Sequence, residues 1–248
     1  MSDSSVYDLT GRVALVTGAG RYIGRGVAEA LAARGATVAI NDLYHDRAEE
    51  AATAIGASAK AFAADICDFD AVQSMARDIE ASLGPVDILV NNAGIPDAGF
   101  PPRQFREMSV DEWRKFIDLN LYGTMYATRA VLDGMCERRW GRIIIISSEA
   151  WRAGSNFGIS IYGAAKAGAL GFMRHLSAEV GRDGVTANAV ALGMMDNLPE
   201  IEGLTRAFPV GRPGNPRDVG AAVVYLASPE ASWVTGQVLP INGGQIMT

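Results

Sequence analysis

The sequence predicts an α/β protein built on a doubly wound sheet of about seven parallel strands with helices on both faces. Three observations lead there. Seven short runs rich in β-branched residues recur along the 248-residue chain, most of them almost continuously apolar, as expected of parallel strands covered on both sides. Helical patterns alternate with these runs, which implies repeated right-handed βα crossovers. A glycine-rich turn joins the first strand to the first helix, where such folds bind ligands.

In order, the strands are RVALVTG, ATVAIND, KAFAAD, VDILVNNAG, GRIIIISS, VTANAVAL and QVLPING. The helices between them are IGRGVAEALAARG, a stretch from Arg47 to Ile55, FDAVQSMARDIEASLG, a long helix from about Val110 to Cys136, and another from about Ile161 to Val180. Gly35 and Gly84 stand where a glycine would stop a helix. Ser109 and Glu112 form a capping-box pattern ahead of the long helix. With no linker and no solenoid-length repeat, residues 1–248 are expected to be a single catalytic, dinucleotide-binding domain. Two proline- or polar-rich segments, 95–108 and 193–215, follow strand ends and are expected to be substrate loops.

Composition removes several function classes. Hydrophobic residues make up 49% of the chain and charged residues 20%, enough for a full core. A net charge of −6 disfavours a nucleic-acid footprint. The start MSDSSVYDLT has neither the basic nor the apolar stretch of a signal peptide, and the purest apolar stretch, the four isoleucines of RIIIISS, is far short of a membrane span. Cys67 and Cys136 lie far apart, without CxxC spacing, so neither a disulfide framework nor a metal site is expected and a cytoplasmic setting fits. His45 and His175 are the only histidines, which argues against Ser-His-Asp chemistry; GSNFG (154–158) matches a nucleophile elbow poorly.

The turn VTGAGRYIG places Gly18, Gly20 and Gly24 between strand and helix. Backbone N–H groups at a helix N-terminus suit a pyrophosphate. Asp42 ends the second strand, where a carboxylate accepts from both adenosine ribose hydroxyls and repels a 2′-phosphate. Further on, Tyr162 and Lys166 lie one helical turn apart and share a face. An ammonium about 5 Å from a phenol, at an effective dielectric near 20, contributes about 3 kcal/mol, or roughly two pKa units. That would bring a tyrosine towards useful acid–base range.

TGAGRYIG, NNAG, a strand ending ISS, YGAAK and a carboxyl-terminal TGQVLPINGG occur in this order, and together they resemble the short-chain dehydrogenase/reductase family, in its branch of about 250 residues. The resemblance spans essentially the whole chain. It implies a Rossmann-type fold and a catalytic set of Asn120, Ser148, Tyr162 and Lys166. In that set Ser148 orients a substrate carbonyl, Tyr162 donates or accepts the proton, Lys166 lowers the tyrosine pKa and holds the nicotinamide ribose, and Asn120 holds a relay water. The implied cofactor contacts are Gly18, Arg21, Tyr22 and Ile23 in the first turn, Asp42 and Leu43 after the second strand, and Asp65 and Ile66 at the adenine. Asn91, Ala93 and Gly94 follow the fourth strand, Tyr162 and Lys166 meet the nicotinamide side, and Gly193 and Met195 follow the sixth strand. Asp42 favours NAD(H), whereas Arg21, just before the middle glycine position, is a feature of NADP(H)-dependent members.

Three positions depart from the family pattern: Tyr22 for the middle glycine, Leu192 for a proline and Asn197 for a threonine. A tyrosine at positive φ would cost about 1–2 kcal/mol. Tyr22 is therefore expected to keep negative φ in the first helical turn, with its ring towards the pyrophosphate edge or the cleft mouth. The implied reaction is reversible hydride transfer between nicotinamide and a small secondary alcohol or ketone, by a cytoplasmic homotetramer that binds neither nucleic acid nor membrane. The alternatives are an NADPH-dependent 3-oxoacyl-[acyl carrier protein] reductase and a non-catalytic dinucleotide-binding regulator. Glu149, Trp151, Met194 and Met195 are placed to border the substrate, and Arg103, Arg106 and Arg152 are candidates for attracting an acidic one.

Overall fold

A computed structural model describes residues 6–95, 102–197, 203, 205, 206 and 208–247. Its sheet holds seven strands: β1 (Val13–Val16), β2 (Thr37–Asp42), β3 (Ala59–Ala63), β4 (Ile88–Asn91), β5 (Gly141–Ser148), β6 (Val185–Leu192) and β7 (Val238–Ile241). They lie side by side in the order β3-β2-β1-β4-β5-β6-β7, and every neighbouring pair is parallel. The chain builds outward from β1 to β3, then returns to lay β4 on the other side of β1. That reversal leaves a crevice beyond the carboxyl ends of β1 and β4.

Strand residues alternate between two apolar layers, the side-chain period of two within otherwise continuous apolar runs. Ala14, Val16, Ile144 and Ile146 face α1 (Tyr22–Ala32) and a helix over Pro216–Ala227 through Val27, Leu31, Val223 and Leu226. Val13, Leu15, Ile143 and Ile145 face the opposite layer. That layer comes from α3 (Phe69–Leu83), α5 (Gly123–Glu137) and α6 (Ser160–Val180), through Val72, Ile79, Met135, Leu170 and Met173. The helices also include α2 (His45–Ile55) and α4 (Val110–Ile117), and α7 denotes Pro216–Ala227.

All seven sequence-derived strands are present, and α3 has the expected bounds. Two helical expectations differ. The long helix is not uniform, because a π-helical turn over Asp118–Tyr122 interrupts it between α4 and α5. Helix α7 was missed, although its start carries the same signal that located α4. The Asn215 side chain accepts from the N–H groups of Arg217 and Asp218, Asp218 answers the Asn215 N–H, and Pro216 occupies the first turn. The Ser109–Glu112 capping box forms as expected. Residues 96–101 of the first expected substrate loop, and 198–202, 204 and 207 of the second, lie outside the described residues.

Candidate active site

The strand order lays the site out across the sheet. Asp42 ends β2, Gly18 follows β1, Ala93 and Gly94 follow β4, Ser148 ends β5 and Gly193 follows β6. Four inter-strand steps of about 4.8 Å give about 19 Å from β2 to β6, enough for an extended dinucleotide. A cleft of about 960 Å³ runs along this edge.

At the switch point the turns after β1 and β4 are sewn together. Thr17 Oγ1 accepts from the N–H groups of Asn92 (3.0 Å) and Ala93 (3.2 Å). The Asn92 amide donates to the carbonyls of Thr17 (2.9 Å) and Gly18 (3.0 Å). Gly18 has φ +60, and a Cβ there would fall 2.9 Å from Ala93 Cα, so both the turn and the close approach require glycine.

At the adenosine end Asp42 is 5% exposed. Its Oδ2 accepts from the Gly20 N–H and its Oδ1 from the Tyr44 N–H, each at 3.2 Å. The carboxylate is thus held rigidly at the end of β2 and lines the cleft. Arg47 brings Nη1 to 4.0 Å from Asp42 Oδ1 and lies over the Tyr44 ring at 4.3 Å. Leu43, Asp65 and Ile66 complete this end, and Arg21 is exposed at its edge.

At the other end Ser148, Tyr162 and Lys166 share the cleft wall. Tyr162 is hydrogen-bonded with Ser148, and Lys166 Nζ lies 5.7 Å from the Tyr162 ring centre. Lys166 is 4% exposed and donates from Nζ to the Ile146 carbonyl at 2.8 Å. Behind it, the π-helical turn presents Asn120, whose amide donates to the Phe116 carbonyl at 3.1 Å. Asn120 Oδ1 is buried with no hydrogen-bond partner. A Cβ at Gly94 would sit 2.7 Å from both Asn120 Oδ1 and Lys166 Nζ, so the bare glycine keeps the gap between them open. Such π turns recur at functional sites because one extra residue re-aims a side chain.

Electrostatics here differ from the sequence-based expectation. Burial pushes the Tyr162 phenol up to about 12, opposed by its hydrogen bond with Ser148. Burial also pulls Lys166 down to about 8. The same desolvation that brings the pair together penalises both charged forms, so Lys166 alone does not bring Tyr162 towards neutrality. The tyrosine stands as a neutral phenol, the form that donates a proton.

Not every expected cofactor contact lies in the cleft. Asn91 points into the core, 3% exposed, with its amide donating to Thr128 Oγ1 at 3.3 Å. Side chains alternate at a strand end, so Asn92 takes the cleft face. Ile23, Gly193, Met195 and Asn197 line the cleft as expected, and Leu192 does so without the family's proline. Tyr22 lines the cleft as expected but contradicts the backbone half of its expectation. It begins α1 with φ +47, not negative, and its hydroxyl crosses to Asp196 Oδ1 at 2.5 Å.

The candidate arginines for an acidic substrate are all in ion pairs: Arg103 with Glu112 (2.6 Å), Arg106 with Glu107 (3.7 Å) and Arg152 with Glu149 (2.6 Å). Glu149, 4% exposed, also accepts from Asn242 Nδ2 at 2.8 Å. The carboxyl-terminal segment then supports the cleft wall: the Gly193 N–H donates to the Ile241 carbonyl (3.0 Å) and the Met194 N–H to Gln245 Oε1 (3.2 Å). Sequence reasoning missed Arg47, Asp196, Asn242 and Gln245. None lies in a spacing pattern, although Asn242 falls within the quoted terminal motif.

Fold and cleft together define a dinucleotide-binding oxidoreductase. A family model described as enoyl-(acyl carrier protein) reductase matches residues 18–245. The chain is 40% identical to the 3-oxoacyl-[acyl-carrier-protein] reductase FabG of Vibrio harveyi, over 97% of this chain and 99% of that one. It is 39% identical to nodulation protein G of Rhizobium meliloti, over 98% and 100%. Among solved structures, a 3-oxoacyl-[acyl-carrier protein] reductase with bound NAD from Brucella melitensis superposes with TM-score 0.91 at 35% identity, covering 100% of this chain and 97% of that one. A putative gluconate dehydrogenase from Agrobacterium tumefaciens gives TM-score 0.90 at 30% identity, covering 98% and 99%. The chain belongs to the short-chain dehydrogenase/reductase family and is an oxidoreductase acting on CH–OH groups with a nicotinamide cofactor.

Proposed function

We propose that the protein catalyses the reversible reduction of a 3-oxoacyl thioester to the 3-hydroxyacyl thioester, with NAD(H) preferred over NADP(H). The carrying observation is the grouping of Ser148 and Tyr162 with buried Lys166, backed by buried Asn120, at the carboxyl end of β5. The substrate class rests on the names of relatives at about 40% identity along the whole chain, which favour a 3-oxoacyl reductase over a general alcohol dehydrogenase. The cofactor preference rests on Asp42, fixed by two backbone N–H groups with its charge where a 2′-phosphate would lie.

The cofactor supplies the hydride; the protein orients and protonates. Gly18, Ile23, Ala93 and Gly94 line the pyrophosphate and ribose path, Asp42 and Leu43 hold the adenosine ribose, and Asp65 and Ile66 border the adenine. Gly193 and Met195 wall the nicotinamide. Ser148 donates to the substrate carbonyl oxygen, Tyr162 delivers its phenolic proton there, and Lys166 binds the nicotinamide ribose. The unpartnered Asn120 Oδ1 holds a water from which Lys166 and Tyr162 are reprotonated. In the oxidation direction Tyr162 would accept the proton from the substrate hydroxyl, with Ser148 opposing the upward shift of its pKa that burial causes.

The test is nicotinamide absorbance with acetoacetyl-coenzyme A and acetoacetyl-acyl carrier protein, each with NADH and NADPH. Turnover of the thioesters with an NADH preference supports the reading; a strong NADPH preference overturns its cofactor half. A second reading, a dehydrogenase of small free alcohols, is favoured by one observation: the net charge of −6 gives no support to a basic docking face for an acidic carrier. Turnover of simple secondary alcohols but of neither thioester would select it. We further propose a cytoplasmic homotetramer, to be checked by light scattering. Among the described residues no helix is long and apolar enough to cross a membrane.

A further inference from the structure

We propose that Tyr22 and Asp196 form a strap across the mouth of the nucleotide cleft, one that must open for each entry and release and so sets how fast nucleotide leaves. The inference rests on the nicotinamide-cofactor reading and goes beyond it, because it assigns a function to the residue that breaks the glycine pattern.

The two residues are 174 positions apart in sequence and belong to opposite walls. On one side the cleft is lined by Gly18 and Ile23, on the other by Gly193 and Met195. The Tyr22 hydroxyl donates to Asp196 Oδ1 at 2.5 Å, closing the space between them. Asp196 is exposed, but its backbone is fixed: its N–H donates to the Gly214 carbonyl (2.9 Å), and the Gly214 N–H donates to the Met194 carbonyl (3.0 Å). Nearby Arg212 attracts Asp196 but is committed to Asp218 at 2.7 and 2.8 Å. The Asp196 side of the strap is therefore a firm anchor.

The Tyr22 side is strained. Its φ of +47 lies in the left-handed region that favours glycine, shared among the described non-glycine residues only with Tyr7 and Arg139. A side chain held there needs a compensating contact, and the charge-assisted bond to Asp196 provides one. Glycine at this position could take the same φ without strain but could not reach across the cleft. The tyrosine thus exchanges backbone ease for a link between the pyrophosphate turn and the segment beside the nicotinamide. Both ends of a bound dinucleotide would be retained by a single hydrogen bond.

The experiment is stopped-flow release of NADH, followed by nucleotide fluorescence, from the wild type, Tyr22→Phe, Asp196→Ala and the double variant. Each single variant is expected to release nucleotide about tenfold faster, and the double variant no faster than either single one, since both remove the same bond. Asp196 is exposed, so its replacement leaves the fold intact, as circular dichroism would verify. Unchanged release, or effects that multiply in the double variant, overturns the strap while leaving the cofactor reading standing. A wild type that binds neither NADH nor NADPH overturns the cofactor reading, and the strap with it.

Discussion

The two ends of the cleft use different chemistry. At the adenosine end the recognition elements are backbone: glycine N–H groups, tight turns and one carboxylate that those N–H groups hold still. At the β5–α6 end they are side chains, and desolvation shifts both Tyr162 and Lys166 away from their charged forms. In the proposed function the first end selects the nucleotide and the second carries the chemistry. Mutations should separate accordingly.

The largest expected effect is at the catalytic end. Tyr162→Phe removes the proposed proton donor and should lower kcat by about 10²–10⁴-fold, with the Kd for NADH, measured by fluorescence titration, little changed. A parallel loss of nucleotide binding would erase the contrast between the ends. Next comes Asp42→Ala, which removes the proposed acceptor for the ribose and the proposed repulsion of a 2′-phosphate. We expect the KM for NADH to rise about 10–100-fold, from the loss of a charged hydrogen-bond acceptor, and the KM for NADPH to fall, with kcat for a shared substrate nearly constant.

A subtler test uses pH on the nucleotide-free protein. The Lys166 pKa is lowered from 10.5 to about 8. The folded state therefore binds fewer protons than the unfolded state between those values, and stability rises with pH across that window. Tyr162, raised from 10.0 to about 12, acts oppositely: its contribution is full below pH 10.0 and is lost as pH climbs to about 12. Urea unfolding of the wild type and Lys166→Met at pH 7, 8, 9 and 10 should show the wild type gaining relative to the variant above pH 8. A constant difference would mean that burial does not depress the lysine. The smallest effect lies outside the cleft: Ser109→Ala breaks the capping box of α4 and should cost about 1 kcal/mol in the same unfolding assay.

Much of this protein is readable along the chain because the signals are local. The strands show as apolar runs, Ser109–Glu112 marks the start of α4, and the YGAAK segment places Tyr162 and Lys166 on one helical face whatever surrounds them. Asn215, Pro216 and Asp218 carry the same kind of local signal for the start of α7. The π-helical turn is different. An unbroken helix from Val110 to Cys136 satisfies every local preference, and only packing of Asn120 behind Lys166 favours the extra residue in the turn. Asn91 and Asn92 are likewise indistinguishable in sequence, and the pleat of β4 chooses which one faces the cleft.

The sequence by itself determined the parallel sheet, the order of its strands along the chain, the shared helical face of Tyr162 and Lys166 and the carboxylate at the end of β2, because each follows from periodicity or from a motif within one element. The tertiary structure decided what passes between elements: the desolvation that moves Tyr162 and Lys166 apart in pKa, the support of Gly193 and Met194 by Ile241 and Gln245, and the positive φ of Tyr22. A single-residue preference set the last at negative φ. In the fold the positive φ comes with a hydrogen bond to a partner 174 residues away, invisible to any local rule.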